Sequence, residues 1–207
     1  PRPAGGGRGG VGAGDPRGPP RVVGSQRGRG VAVKDLFAVD GFAVGAGNPE
    51  CLRESPVRSG NARAVDELLA AGAAVRGIAR TDEFAYSLAG TNIHYGTPPN
   101  PLAPGRVSGG SSSGPASAVS LGQADVGLGT DTAGSIRVPA SYQGLWGIRT
   151  THGLVSRDGV LPLSESFDTV GWLTRDPGTL AAVAGVLAAD SVVTVPDPSG
   201  RDAVVVC

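Results

Sequence analysis

The sequence predicts an α/β fold of the parallel type, on three observations. A short apolar run at Val31-Ala32-Val33 reads as a buried strand, Asn61 to Gly72 carries helical spacing, and Val75 to Ala79 returns to strand character. That strand, helix, strand order is the unit from which parallel sheets are built. The chain has 207 residues, enough for one domain with a core of useful size.

Residues 1–30 precede this pattern and are rich in Gly, Pro and Arg, with Val11, Val22 and Val23 almost their only apolar side chains. They cannot bury enough surface to offset ordering entropy and are expected to be disordered, so the folded part is residues 31–207. Leu36 to Val39 prolongs the apolar signal to the turn at Asp40-Gly41. In the helix at Asn61 to Gly72, Asn61 can cap, Val65, Leu68 and Leu69 share a face, and Gly72 suits the position after the last turn. A second short helix is expected at Thr81 to Ala89, capped by Thr81 or Asp82, and a loop from Thr91 to Pro104, where Pro98, Pro99, Pro101 and Pro104 discourage regular structure.

Gly114-Pro115-Ala116 should open a helix that ends near Gly122, because proline is tolerated just inside a helix start. Asp125 to Gly129 reads as a strand, Ser135 to Ala140 as a helical turn, and Leu145 to Ile148 as another strand. Thr179 to Ala189 is an Ala-rich helix, followed by strands at Val192 to Val195 and Ala203 to Cys207. The last of these is expected to lack a partner, and no methionine stands at position 1, so the sequence reads as part of a longer reading frame.

Composition narrows the function. With 18 basic and 18 acidic residues, the chain has no electrostatic bias toward nucleic acid or a membrane. Arg8, Arg27 and Arg29 sit among glycines, but without aromatic residues or a repeat they make a poor nucleic-acid segment. Cys51 and Cys207 are the only cysteines and His94 and His152 the only histidines, too few for a disulfide framework or a Cys/His metal centre. No apolar run is long enough to span a bilayer and no signal peptide opens the sequence, so a cytoplasmic protein is the expectation.

The 17 arginines leave Lys34 as the single lysine, placed in V-A-V-K-D at the end of the first strand. Arginine cannot give up a proton at usable pH, whereas a desolvated lysine can become a base. Two small-residue turns, Gly109 to Gly114 and Gly129 to Ser135, add serines and close backbone approach. Read alone, G-G-S-S-S-G is a flexible linker. If Ser135 opens a helix, however, the N–H groups of Thr132, Ala133, Gly134 and Ser135 face outward together and can stabilise an oxyanion. Ser135 would then be a nucleophile needing a base, for which His94, His152 and Lys34 compete.

The stretch from Val31 to about Val186 resembles the amidase signature family. V-A-V-K-D is similar to its lysine strand, G-G-S-S-S-G to its first serine loop, and G-T-D-T-A-G-S-I-R-V-P-A to its nucleophile loop. The 24 positions from Ser111 to Ser135 fit as well. The resemblance implies a mixed, mostly parallel sheet flanked by helices on both faces. It also implies Ser135 as nucleophile, Ser111 as a bridging serine joined by a cis peptide bond, Lys34 as base, and an oxyanion hole from the backbone of Thr132, Ala133 and Gly134. The implied reaction is hydrolysis of an amide through an acyl-enzyme, with no metal or organic cofactor and with a homodimer possible.

Ala133 departs from the family, which usually has glycine there, and family members are much longer, so their C-terminal part is missing. H-Y-G-T-P-P-N-P, R-V-P-A-S-Y-Q-G and S-F-D-T-V-G-W resemble the family's monofunctional amidases of small amides more than its aminoacyl-tRNA amidotransferase subunit. The alternatives are a non-catalytic interaction module of the same fold and the amidotransferase subunit of an aminoacyl-tRNA amidating complex.

Overall fold

The computed structural model describes residues 25–189 together with the backbone of two further strands, Val192–Pro196 and Asp202–Val206. The disorder expected for residues 1–30 lies outside the described residues as far as position 24. From Ser25 onward it does not hold. Gln26 is buried, its N–H donates to the Ala71 carbonyl at 2.9 Å, and Gly30 already belongs to the first strand. Long-range backbone bonding supplies there what the composition lacks in apolar side chains.

Five strands, β1 (Gly30–Lys34), β2 (Ala74–Ala79), β3 (Val126–Asp131), β4 (Trp146–Arg149) and β5 (Thr169–Thr174), form one sheet in the order β2-β1-β3-β5-β4. β1 pairs in parallel with β2 and β3, while β5 runs antiparallel between β3 and β4. Four strands therefore point one way and β5 the other, the mixed and mostly parallel arrangement expected. β1, β3 and β5 are buried at every residue, as central strands covered on both faces must be.

The accompanying helices are α1 (Pro49–Glu54), α2 (Arg63–Ala70), α3 (Ser113–Ser120), α4 (Arg137–Tyr142) and α5 (Pro177–Leu187). Side-chain alternation along the strands separates two faces. Val31 and Val33 join Val126, Leu128, Val170 and Trp172 in the larger core, closed by Val65 and Leu68 of α2 and Val183 and Leu187 of α5. Ala32 and Leu173 point the other way, toward Ala116 and Val119 of α3 and Ala140 of α4. Each large apolar side chain withdrawn from water here contributes about 1.5–3 kcal/mol, and the Trp172 Nε1–H keeps a partner at the Leu180 carbonyl, 3.1 Å away.

Glycine decides how close the second layer comes. A Cβ at Gly129 would lie 2.5 Å from Ser112 Oγ and 2.9 Å from Ile136 Cδ1, so no side chain fits between β3 and the two serine-bearing loops.

Three expectations are corrected. The helix expected from Asn61 begins at Arg63 with Ala62 as its N-cap, because the Asn61 side-chain Oδ1 accepts from the Asp40 N–H at 2.8 Å instead of capping. Its far end is as expected, with Gly72 at φ +95° just beyond the last turn. The helix expected over Thr81 to Ala89 is a single 3-10 turn, Glu83–Ala85, in which Phe84 and Ala85 have φ of 48° and 59°. Asp82 stands at its N-cap as expected but makes no side-chain cap bond, because its carboxylate accepts from Gly90 and Ser113 instead, and the Thr81 hydroxyl donates to the Ser111 carbonyl. The strand at the end of the chain also has a partner: β6 (Val192–Pro196) and β7 (Asp202–Val206) pair antiparallel as a separate two-stranded sheet. β5 is an addition that the sequence reading did not make.

Candidate active site

The parallel pairing of β1 and β3 brings their C-terminal ends side by side, with Val33 opposite Leu128. Lys34 closes β1 and is fully buried. Its Nζ donates to Ser111 Oγ at 2.7 Å and to Thr130 Oγ1 at 2.9 Å, so the base candidate touches the first serine loop and the approach to the second at once. Burial strips the ammonium of water and pulls its pKa from the ordinary 10.5 down to about 7, although the negative charges of Asp82, Asp131 and Asp168 push the other way.

The first serine loop is held by its backbone. Gly109 and Gly110 donate to the carbonyls of Ala89 and Leu88 at 3.1 and 2.9 Å, and the Gly110–Ser111 peptide bond is cis. The Ser111 carbonyl accepts from Thr81 Oγ1 at 2.8 Å and from the Asp82 N–H at 3.3 Å. The buried Asp82 carboxylate in turn accepts from the Gly90 N–H at 2.9 Å and Ser113 Oγ at 3.1 Å. Gly110 packs directly on that carboxylate: a Cβ there would meet Asp82 Oδ2 at 2.5 Å.

The second serine loop is organised by Asp131. Its carboxylate accepts from the N–H groups of Gly134 at 2.8 Å, Ile136 at 3.1 Å and Arg137 at 3.3 Å, and from the guanidinium groups of Arg137 and Arg149. Burial alone would raise the Asp131 pKa, but the Arg137 side chain and the backbone N–H groups of Ile136 and Arg137 outweigh it and hold the group at about 2. Gly134 takes φ +137°, a conformation that favours glycine. Ala133 is not among the residues with positive φ, and so it stands where the resemblance leads one to expect glycine.

Ser135 follows, buried, just before Ile136 at the N-cap of α4. The Ser112 N–H donates to the Ser135 carbonyl at 3.1 Å, and Ser112 Oγ donates to the Thr130 carbonyl at 3.2 Å, lacing the two loops together.

Of the residues singled out from sequence, Lys34 and Ser111 are in direct contact, and Ser135 lies on the loop bonded to theirs. The backbone donors divide: the Gly134 N–H is committed to Asp131, whereas those of Thr132, Ala133 and Ser135 make no hydrogen bond among the described residues, and of these three Ala133 is the exposed one. The two histidines bond elsewhere, His94 with Glu83 at 2.8 Å and His152 with the Glu165 carbonyl at 2.9 Å. Thr130, Asp82, Asp168 and Arg149 were missed. Thr130 and Asp131 stood inside the nucleophile-loop motif and Asp168 inside S-F-D-T-V-G-W, while Arg149 lies outside every motif; Arg149 and Asp168 reach the loop only through β4 and the turn before β5. Among the described residues no group of three or more His, Cys, Asp or Glu could hold a metal ion, and no helix is long and apolar enough to cross a membrane.

A mixed sheet with a buried lysine on two serine-bearing loops defines a class of α/β protein, and comparison with known families gives that class its name. The family described as Amidase matches residues 27–199, and the chain belongs to it. "Amidase 1" of Oryza sativa subsp. japonica is 50% identical over 188 residues, which cover 89% of this chain and 43% of that protein. "Outer envelope protein 64, chloroplastic" of Arabidopsis thaliana is 42% identical over 82% of this chain and 29% of its own length. Among solved structures, the native peptide amidase from Stenotrophomonas maltophilia superposes with a TM-score of 0.73 at 34% identity, over 87% of this chain and 36% of that one. The chain thus spans less than half the length of these relatives.

Proposed function

We propose that this chain carries the catalytic centre of an amide hydrolase, with Ser135 as nucleophile, Ser111 as proton relay and Lys34 as base. The observation that carries the reading is the 2.7 Å contact between Lys34 Nζ and Ser111 Oγ inside a buried site, where the lysine pKa falls to about 7. A neutral Lys34 takes the Ser111 hydroxyl proton as Ser111 takes that of Ser135. Ser135 Oγ bonds to the amide carbon, the carbonyl electrons move onto oxygen, and the nucleophile-loop backbone stabilises the oxyanion. Collapse breaks the C–N bond, and the proton returns from Lys34 through Ser111 to the leaving nitrogen. Water then adds to the acyl-enzyme, losing its proton along the same relay, and a carboxylic acid leaves as Ser135 is regenerated. Membership of the amidase family supports amide hydrolysis in general, and within it small amides are the substrate class we propose.

The test is labelling of the chain with a fluorophosphonate, followed by peptide mapping. The label is expected on Ser135, is expected to vanish in Ser135→Ala, and its rate should climb with pH through about 7, as Lys34 loses its proton. A label at another residue, or amide hydrolysis undiminished in Ser135→Ala, overturns the assignment of Ser135; a parent chain that neither labels nor hydrolyses amides leaves the non-catalytic reading in its place.

A further inference from the structure

The nucleophile loop is gripped by two side chains that the proposed chemistry does not use. Arg149, at the end of β4, sends Nη1 to the carbonyls of Asp131 and Thr132, the latter at 3.1 Å, and to Asp131 Oδ1, also at 3.1 Å. Its Nη2 donates to the Phe167 carbonyl at 2.9 Å. The residue after Phe167 completes the grip. Asp168 Oδ1 accepts from Thr132 Oγ1 at 2.5 Å, and Asp168 Oδ2 accepts from the N–H groups of Leu163 and Ser164 at 2.9 Å each. Thr132 is therefore fixed at its carbonyl by Arg149 and at its hydroxyl by Asp168.

A trans peptide unit carries its C=O and N–H in opposite directions. Fastening the Thr132 carbonyl to Arg149 thus aims the Ala133 N–H away from Arg149 and the Asp131 carboxylate. The next N–H, that of Gly134, turns back to Asp131 Oδ1 at 2.8 Å. Successive peptide units are pinned with opposite polarity, and the exposed Ala133 carries an N–H with no acceptor among the described residues.

We propose that Arg149, assisted by Asp168, is a positioning residue for the oxyanion hole, holding the Thr132–Ala133 peptide so that the Ala133 N–H meets the developing oxyanion of a Ser135 adduct. This rests on the amide-hydrolase reading for its purpose, but the peptide orientation can be measured independently. The fork geometry explains why arginine serves here: one planar group reaches three acceptors on the nucleophile loop and a fourth on the turn before β5.

The experiment compares Arg149→Met, Arg149→Lys and Thr132→Val with the parent chain by two readouts. The first is the residual dipolar coupling of the Ala133 N–H, which reports the direction of that bond whether or not the protein reacts. The second is fluorophosphonate labelling of Ser135, resolved into a binding constant and a maximal rate. Arg149→Met should change the Ala133 coupling while couplings along β1 and β3 stay put. It should slow maximal labelling about 10²-fold, the usual cost of one oxyanion donor, with binding and the pH midpoint near 7 unchanged.

Arg149→Lys should recover part of that rate, and Thr132→Val, which keeps Arg149 and loses only the hydroxyl bond to Asp168, should lose about tenfold. If Arg149→Met does not fold, the other two variants decide the matter by the same readouts. An unchanged Ala133 coupling, or labelling as fast as the parent's, overturns the proposal. A parent chain that does not label at Ser135 while the Ala133 coupling responds to Arg149 overturns the amide-hydrolase reading and keeps the positioning.

Discussion

Replacing Lys34 by methionine should make the protein more stable near neutral pH while ending its reactivity. The lysine pKa falls from 10.5 to about 7 in the folded chain, so folding there forces off a proton that the unfolded chain would keep. A drop of 3.5 (10.5 minus 7), at about 1.4 kcal/mol for each factor of ten and with the folded group half protonated, makes a penalty of about 4 kcal/mol at pH 7. Methionine fills similar volume and removes the penalty. It also removes the donor to Ser111 Oγ and Thr130 Oγ1, at 2.7 and 2.9 Å, a loss of about 1 kcal/mol for each bond. The net expectation is a gain of about 2 kcal/mol at pH 7.

The dependence on pH follows with a definite sign. Between about 7 and 10.5 the unfolded chain binds the proton and the folded chain does not, so the parent gains stability as pH rises through that window. Below it both states are protonated and the penalty is constant. Urea unfolding of parent and variant from about pH 6 to about pH 10 isolates this one group, since all others are shared. The advantage of Lys34→Met should be largest in the acid half and should shrink and then reverse in the alkaline half. A difference that does not vary with pH, or a variant less stable than the parent at pH 7, refutes the reasoning.

Two further outcomes are expected. Asp131→Asn should cost about 3 kcal/mol in urea unfolding at neutral pH, because Arg137, Arg149 and three N–H groups lose a common anion. The folded Asp131 pKa is held at about 2, below the ordinary 3.8, so its contribution is present above 3.8 and fades as pH falls through about 2; a variant as stable as the parent at neutral pH would contradict this. Gly129→Ala should cost about 1–3 kcal/mol and slow Ser135 labelling, since its Cβ would press to 2.5 Å of Ser112 Oγ, one of the atoms joining the two loops. Parent-like unfolding and labelling would show that the loops can stand off the sheet.

What the sequence made legible was local. Val31 to Val33, Val75 to Ala79 and the helix ending at Gly72 carry their own periodicity or punctuation, and the structure has an element at each. β5 was not legible. Its run T-V-G-W-L-T is interrupted by Gly171, which reads as a weakness, yet a Cβ there would meet the Ile148 carbonyl at 2.3 Å on the adjacent strand. Only long-range pairing gives that glycine its meaning.

The same division runs through the site. Lys34 was conspicuous by composition, and Ser111 and Ser135 by small-residue turns. Asp82, taken for a cap, is a buried anchor for the first serine loop, a role set by Gly90 and Ser113 rather than by its neighbours in sequence. Arg149 looked like any surface arginine among 17.

The parallel register of β1 and β3 has a consequence for how the site comes into being. Lys34 and its two hydroxyl partners are 77 and 96 positions apart along the chain, and no short-range contact brings them together. A slip of one residue between these strands would turn Lys34 to the opposite face of the sheet, toward the apolar core of α2 and α5. There its charge would have no hydroxyl to meet and its burial no compensation. Strand alignment is thus proofread by the lysine itself: the misaligned sheet buries an unpartnered ammonium, and the aligned one delivers it to Ser111 and Thr130.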